Sequence, residues 1–325
     1  MLVNQIEALL ITGSNGFVGS SFLKYLETLS ADKLPLKVCL VSRNAKFPVT
    51  KNLELKTEVS FVVADLEVPW EFSFPATHIA HFAADGSTNA YSMDAAQKFL
   101  RITHNLEKWS VSLNCPTIFL ASSGACFGYV PLNSEGHMTG WEDNNFSSGN
   151  KISGNKDHLI HSRIHAEESL LLLKAAGSID LRIGRLFSFI GNSLFNKPQY
   201  AVNSFVNMAL SSSEIEVLGD PRTIRSYLSE YDMANWIYKS LCQKIGSSYL
   251  AIGSANPVTI LELANEVGAQ TGAKVRLPKS FEPGDIYVAN SLETQKLLNV
   301  TETISWQNAL KSYITFSREM HKNAR

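Results

Sequence analysis

Leu9-Leu10-Ile11-Thr12-Gly13-Ser14-Asn15-Gly16-Phe17-Val18-Gly19 joins a short apolar run, three spaced glycines and the start of an amphipathic stretch. Ala8 to Thr12 reads as a buried strand, and Phe17 to Leu29 has the apolar spacing of a helix. Each glycine answers a separate steric demand. Gly13 lets the chain turn sharply, Gly16 leaves room for a pyrophosphate, and Gly19 lets the helix pack closely on the strand. The helix start then offers free N–H groups and a positive dipole end to phosphates. Glycine spacing alone is weak. The strand before it, the helix after it and its place near the amino terminus make it a dinucleotide-binding turn. The bland alternative is a tight turn with no ligand. On the first reading Gly13, Asn15, Gly16, Phe17, Val18 and Gly19 border a dinucleotide.

Outward from this turn, apolar runs recur at Lys37 to Val41, Phe61 to Ala64, His78 to Ala83 and Thr117 to Ala121. Met93 to Leu113 reads as a helix before the last of these. Strands alternating with helices predict an α/β fold, a Rossmann-type doubly wound parallel sheet with helices on both faces. Ser123 to Asp157 is rich in Gly, Ser and Asn and reads as a long loop, of the kind that carries function. A helix follows over Asp157 to Ala176 with Gly177 at its end, then a strand over Ile179 to Phe187. Beyond Phe189 the elements shorten, with Pro198, Pro221, Pro257 and Pro283 between them. The expected division is a dinucleotide-binding domain over 1–187 and a smaller substrate lobe over 188–325, with some chain crossing between them.

The 325 residues are 45% apolar and 18% charged, with a net charge of −1, which suits a globular protein with a large core. That balance points to neither nucleic acid nor an acidic membrane as partner. Cys39, Cys115, Cys126 and Cys242 form no Cys-x-x-Cys pair, so no zinc site is expected and a reducing compartment fits. Met1 to Ile11 has no basic region followed by an apolar run and a cleavage site, and apolar runs such as Leu170 to Leu173 are too short for a bilayer. A cytoplasmic protein is expected.

Lys37-Val38-Cys39-Leu40-Val41-Ser42-Arg43 closes the second strand. An acidic residue there would hydrogen-bond ribose hydroxyls; Arg pairs with a 2′-phosphate instead. Ser42 and Arg43 therefore lean the expectation from NAD toward NADP, against the alternative of a solvated surface Arg.

Thr12-Gly13-x-x-Gly16-Phe17-x-Gly19 resembles the fingerprint of the extended short-chain dehydrogenases/reductases, the NAD-dependent epimerase/dehydratase group, and later segments agree in order. Ala64-Asp65-Leu66 resembles the segment whose Asp meets the adenine. His78 to Ala84 resembles the strand whose end, Ala83-Ala84, runs past the cofactor. Leu120 to Gly128 resembles the strand bearing the catalytic Ser or Thr, which falls on Ser123. Gly184 to Gly191, with Ser188, resembles the passage into the substrate lobe. Val217 to Tyr227 resembles a nucleotide-sugar phosphate site, with Arg225 on its phosphate-binding Arg, and Pro283-Gly284-Asp285 continues the match, so that the resemblance implies Ser188, Arg222, Arg225 and Asp285 at the substrate. The resemblance implies an NAD or NADP cofactor, a nucleotide-sugar or related small substrate, and a homodimer.

Two departures stand out. The group's Tyr-x-x-x-Lys pair moves a proton and holds the nicotinamide ribose. Ser162-Arg163-Ile164-His165-Ala166-Glu167 fits its frame with Arg163 at the Lys position and Leu159 at the Tyr position. Arg donates to a ribose; Leu carries no proton. His161 is a chemical substitute, but His158, His161 and His165 lie about 100° or more from the face of Leu159. A metal site from these three has no other support, and a surface or subunit face is the alternative. Cys126 follows Ser123 closely but reads as a small buried residue rather than a nucleophile. The second departure is Glu282, where UDP-sugar binders of the group often carry Arg; Arg222 is placed to compensate. Three functions remain open: a nucleotide-sugar epimerase, dehydratase or reductase with an atypical site; a degenerate dinucleotide-binding or regulatory subunit; and an NADP-dependent reductase of another small carbonyl substrate.

Overall fold

The structure is a computed structural model that describes residues 5–84, 92–127, 130–131, 157–195 and 200–323. In chain order, the first half holds β1 (Ala8–Thr12), α1 (Phe17–Thr28), β2 (Lys37–Ser42), α2 (Lys51–Glu54), β3 (Glu58–Val63), β4 (His78–His81), α3 (Met93–Ser110), β5 (Thr117–Ser123) and β6 (Val130–Pro131). The second half holds α4 (Asp157–Ala175), β7 (Asp180–Leu186), β8 (Phe189–Ile190), α5 (Ala201–Ser212), β9 (Glu214–Glu216), β10 (Ile224–Arg225), β11 (Leu228–Ser229), α6 (Glu230–Cys242), β12 (Tyr249–Ile252), β13 (Val258–Thr259), α7 (Ile260–Thr271), β14 (Lys274–Arg276), β15 (Asp285–Tyr287), α8 (Leu292–Leu298) and α9 (Trp306–Asn323).

A seven-stranded parallel sheet runs β12-β7-β5-β4-β1-β2-β3. The inner strands β1 and β5 are mostly apolar and buried because both faces are covered, whereas the edge strand β3 is largely exposed. Alternate residues feed opposite layers. Leu9, Ile11, Val38, Leu40 and Phe119 pack with Phe22 and Leu26 of α1 and Trp236 of α6. Leu10, Cys39, Val41, Ile118 and Leu120 pack with Phe99 and Leu106 of α3 and with Ala166 and Leu170 of α4. The strand order reverses at β1, between β2 and β4, and a crevice at the carboxyl ends of such strands is where ligands bind in open α/β sheets.

The second lobe has its own core, in which Phe205 and Val206 of α5 meet Leu263 and Val267 of α7 and Leu310 and Tyr313 of α9. Its small sheet runs β13-β10-β15-β6, and β11 pairs β8 and β14 pairs β9 beside it. Thr259 starts α7 with a full capping box, its side chain and that of Glu262 each satisfying the other's backbone N–H. The two layers exchange chain in both directions. β12 returns to edge the large sheet with α6 beneath it, and β6 leaves to edge the small one.

The stretch expected as one long loop begins in regular structure. Ser123 is the last residue of β5, Gly124–Phe127 form a 3-10 turn, and Val130–Pro131 pair antiparallel to Asp285 and Ile286. Residues 132–156 lie outside the described residues. Helix α3 stops at Ser110, ahead of the expected Leu113. Among the described residues no helix is long and apolar enough to cross a membrane.

Candidate active site

The glycine turn sits where the sheet order reverses. Gly13 has φ +69°, and a Cβ there would stand 2.6 Å from the Ala83 nitrogen and the Phe82 carbonyl carbon. A Cβ on Gly19 would lie 2.3 Å from the Gly13 oxygen. Gly16 is the N-cap of α1 and among the described residues no side chain caps that helix, so its first N–H groups are left for a ligand. The buried Ser14 hydroxyl has no hydrogen-bond partner among the described residues. Thr12 Oγ1 pairs with His81 Nδ1 at 3.0 Å and accepts from the Ala83 nitrogen at 3.3 Å, fastening the ends of β1 and β4 together. A glycine cradle beside a free helix start and an orphan hydroxyl fits the pyrophosphate of a dinucleotide.

The remaining residues expected at the cofactor gather on the same sheet edge. Asn15 donates to the Lys46 carbonyl at 2.8 Å and to Ser42 Oγ at 3.4 Å, which ties the glycine turn to the end of β2. Phe17 and Val18 are half-buried in the first turn of α1. Ser42 is half-buried and Arg43 exposed beyond it. Asp65 is exposed past β3, its carboxylate accepting from the Glu67 nitrogen at 3.0 Å, while Leu66 is buried. Ala83 and Ala84 leave the end of β4.

Ser123 ends β5, half-buried, its hydroxyl accepting from the Ala125 nitrogen at 3.2 Å. Leu159 and Arg163 stand one turn apart on α4, both half-buried overall. The Arg163 guanidinium lies 3.3 Å over the Phe99 ring, in the seam between α3 and α4. Its Nε and Nη1 are sealed without a hydrogen-bond partner among the described residues, and burial pulls its pKa down to about 10. His158, His161 and His165 are exposed on α4, whereas Ile160, Ser162 and Ala166 are buried. Among the described residues no cluster of His, Cys, Asp or Glu is arranged to hold a metal ion.

Beneath Ser123 lies a charge pair that sequence reasoning missed. Glu167 and Arg185 meet at 2.6 Å with side chains 1% and 6% exposed. Ser122 donates to the same carboxylate, and Arg185 stacks on Phe127 and Tyr249. Burial lowers the Arg185 pKa, but hydrogen bonding and the charge of Glu167 outweigh it and raise the net value. Burial and the same Glu167 charge push the Cys126 thiol up to about 11, which leaves it protonated and a poor nucleophile near neutral pH.

Two histidines, buried His81 and half-buried His78, make the fold acid-sensitive. Burial, then the Arg163 charge, pulls His81 down from 6.5 to about 3; burial, then Arg182, pulls His78 to about 4. The unfolded chain takes up these protons near the ordinary value, and the folded chain refuses them. Stability is therefore lost as pH falls below 6.5, by up to about 1.4 kcal/mol per pH unit for each ring. Urea midpoints should fall between pH 6.5 and 4, with a shallower slope in His81→Gln. A flat midpoint over that range would contradict this reading.

In the second lobe, the expected phosphate ligands are internally paired. Arg222 grips Asp220 with two bonds of 3.0 and 2.9 Å and lies 5.5 Å over Phe281. Arg225 meets Asp285 at 2.5 Å and donates to the carbonyls of Ile224 and Asp285. Asp285, expected at the substrate, is thus the partner that aims Arg225. Ser188 is half-buried, its carbonyl holding the Leu228 nitrogen at 3.1 Å. Glu282 is exposed.

Comparison with known proteins agrees with this architecture. The chain superposes on a dTDP-glucose 4,6-dehydratase, DesIV from Streptomyces venezuelae, solved with NAD and TYD bound, with a TM-score of 0.75 and 18% identity over 97% of this chain and 98% of that one. A UDP-glucuronic acid 4-epimerase from Bacillus cereus gives 0.74 and 17% over 96% and 99%. The UDP-glucose 4-epimerase of Thermotoga maritima gives 0.72 and 16% over 97% and 99%. No curated protein matches the sequence. Residues 9–250 match the sequence profile of the NAD dependent epimerase/dehydratase family, which spans more than half of the chain. The chain belongs to the NAD-dependent epimerase/dehydratase family.

Proposed function

We propose that the protein acts on a nucleotide-linked sugar with a nicotinamide dinucleotide, as an epimerase, dehydratase or reductase with an atypical site. The observation that carries this reading is one sheet edge. The glycine cradle, the ends of β2 and β4, and Ser123 at the end of β5 all stand along the carboxyl ends of neighbouring strands. When bound there, the dinucleotide supplies hydride transfer. Ser123 then hydrogen-bonds the reacting sugar oxygen, and Arg225, aimed by Asp285, receives the diphosphate. The protein is expected to work as a cytoplasmic homodimer. The test is a screen of UDP-glucose, UDP-glucuronic acid and dTDP-glucose with either dinucleotide, following sugar products by chromatography. Conversion of one of them supports the reading.

A second reading is a dinucleotide-binding subunit without turnover. It is favoured by Leu159, which carries no proton, and by Arg163, whose head is engaged on Phe99. Dinucleotide binding with no conversion of any sugar would favour it.

Cofactor choice is tested separately. Arg43 is exposed just past Ser42, where a 2′-phosphate would sit. A charge-assisted contact there should make NADP bind about tenfold tighter than NAD. Arg43→Ala should erase the difference by calorimetry, and equal affinities in the unmutated protein would refute the pairing.

A further inference from the structure

The proposed chemistry lacks a proton carrier at Leu159, and the fold brings a phenol to Gly124, the residue after Ser123. Tyr287 lies on β15 in the second lobe, as the register partner of Arg225 on β10. Its ring packs against Phe187, with centroids 4.8 Å apart. Its hydroxyl donates at 3.3 Å to the carbonyl of Leu186, and Leu186 is the β7 partner of Ser123. A Cβ built on Gly124 would stand 2.7 Å from that hydroxyl oxygen. The residue after Ser123 thus has no side chain where the phenol arrives. One strand register therefore links the arginine expected at the diphosphate to a phenol beside the serine expected at the reacting oxygen.

We propose that Tyr287 supplies the phenol that contacts the sugar and exchanges its proton, a proposal that rests on the nucleotide-sugar reading above. In the reducing direction, the sugar carbonyl carbon receives hydride from the reduced nicotinamide. The C=O π pair moves to oxygen, and that oxygen takes the Tyr287 proton. Water then reprotonates the phenolate. In the oxidising direction, the phenolate takes the alcohol proton as the carbon gives up hydride to the oxidised dinucleotide. A phenol suits this exchange better than the serine, because it ionises near pH 10 whereas an aliphatic hydroxyl holds its proton far more tightly.

The test compares the unmutated protein with Tyr287→Phe, which keeps the ring and removes the hydroxyl. With the sugar that the unmutated protein converts, kcat should fall about 100-fold or more while KM rises by no more than about fivefold. The alkaline or acid limb carried by the phenol should vanish from the pH profile. Calorimetry without dinucleotide gives a readout apart from turnover. Affinity for that nucleotide sugar should weaken about fivefold, the worth of one hydrogen bond, while affinity for the nucleoside diphosphate alone stays unchanged. Equal kcat in both proteins overturns the proposal and leaves the nucleotide-sugar reading standing. Equal weakening toward the nucleoside diphosphate also overturns it, because Tyr287 would then only shape the phosphate site. No conversion of any sugar by the unmutated protein overturns both.

Discussion

Gly13→Ala is expected to remove about 3 kcal/mol of stability and to abolish dinucleotide binding. Two costs add at this residue. A side chain at φ +69° enters the left-handed region, about 1–2 kcal/mol for a non-glycine residue. Its Cβ also meets backbone atoms of Phe82 and Ala83 at 2.6 Å, an overpacking typically worth about 1–3 kcal/mol. Those neighbours are main chain, so no rotamer change relieves the clash. Gly177 separates the two effects, because it has φ +73° with nothing within 4 Å of a built Cβ. Gly177→Ala should therefore cost only about 1 kcal/mol and leave binding intact. Urea unfolding and calorimetry on both variants check this. A folded Gly13→Ala protein with unchanged dinucleotide affinity would contradict the role given to the turn.

The second large effect is expected at the buried charge pair. Glu167→Ala leaves the Arg185 guanidinium in a site where its side chain is 6% exposed, and breaking such a pair typically costs about 3–5 kcal/mol. It also strips Ser122 of its acceptor, directly before Ser123. Replacing both charges, as Glu167→Met with Arg185→Met, should recover most of the loss, since apolar replacements of buried pairs are often neutral. Chemical denaturation of the single and double variants gives the comparison. A double variant as unstable as Glu167→Ala would mean that the aromatic stacking of Arg185 on Phe127 and Tyr249, rather than charge pairing, holds this region.

The layer order and the glycine turn were legible because they rest on local pattern. A buried parallel strand must be apolar along its length, and Ala8 to Thr12 is. Likewise Gly13 and Gly19 stand where only a missing side chain permits the approach of β4 to the turn and of α1 to its own start. What stayed hidden depends on partners distant in sequence. Nothing local tells that Glu167 finds Arg185 eighteen residues later through a helix-to-strand crossover. The Ala166-Glu167 and Gly184-Arg185 dipeptides each stand in recognisable segments, but their meeting is a product of packing.

The same holds in the second lobe. Arg222, Arg225 and Asp285 were read as substrate contacts, yet the structure shows Asp220 and Asp285 already engaging the two arginines. Tyr287 carries no local signal of function, since a buried tyrosine in a strand ordinarily signals packing alone. Only the register of β10 against β15, and the bare Cα of Gly124, bring its hydroxyl to the Leu186 carbonyl and to Gly124, the residue that follows Ser123.

Calorimetric titration of the purified full-length chain with NAD and with NADP tests the central claim most directly, because every functional step above requires a dinucleotide in the β1–β4 crevice. Saturable binding of one dinucleotide per chain, lost in Gly13→Ala and kept in Gly177→Ala, is the predicted result. A folded protein that binds neither dinucleotide would contradict the account.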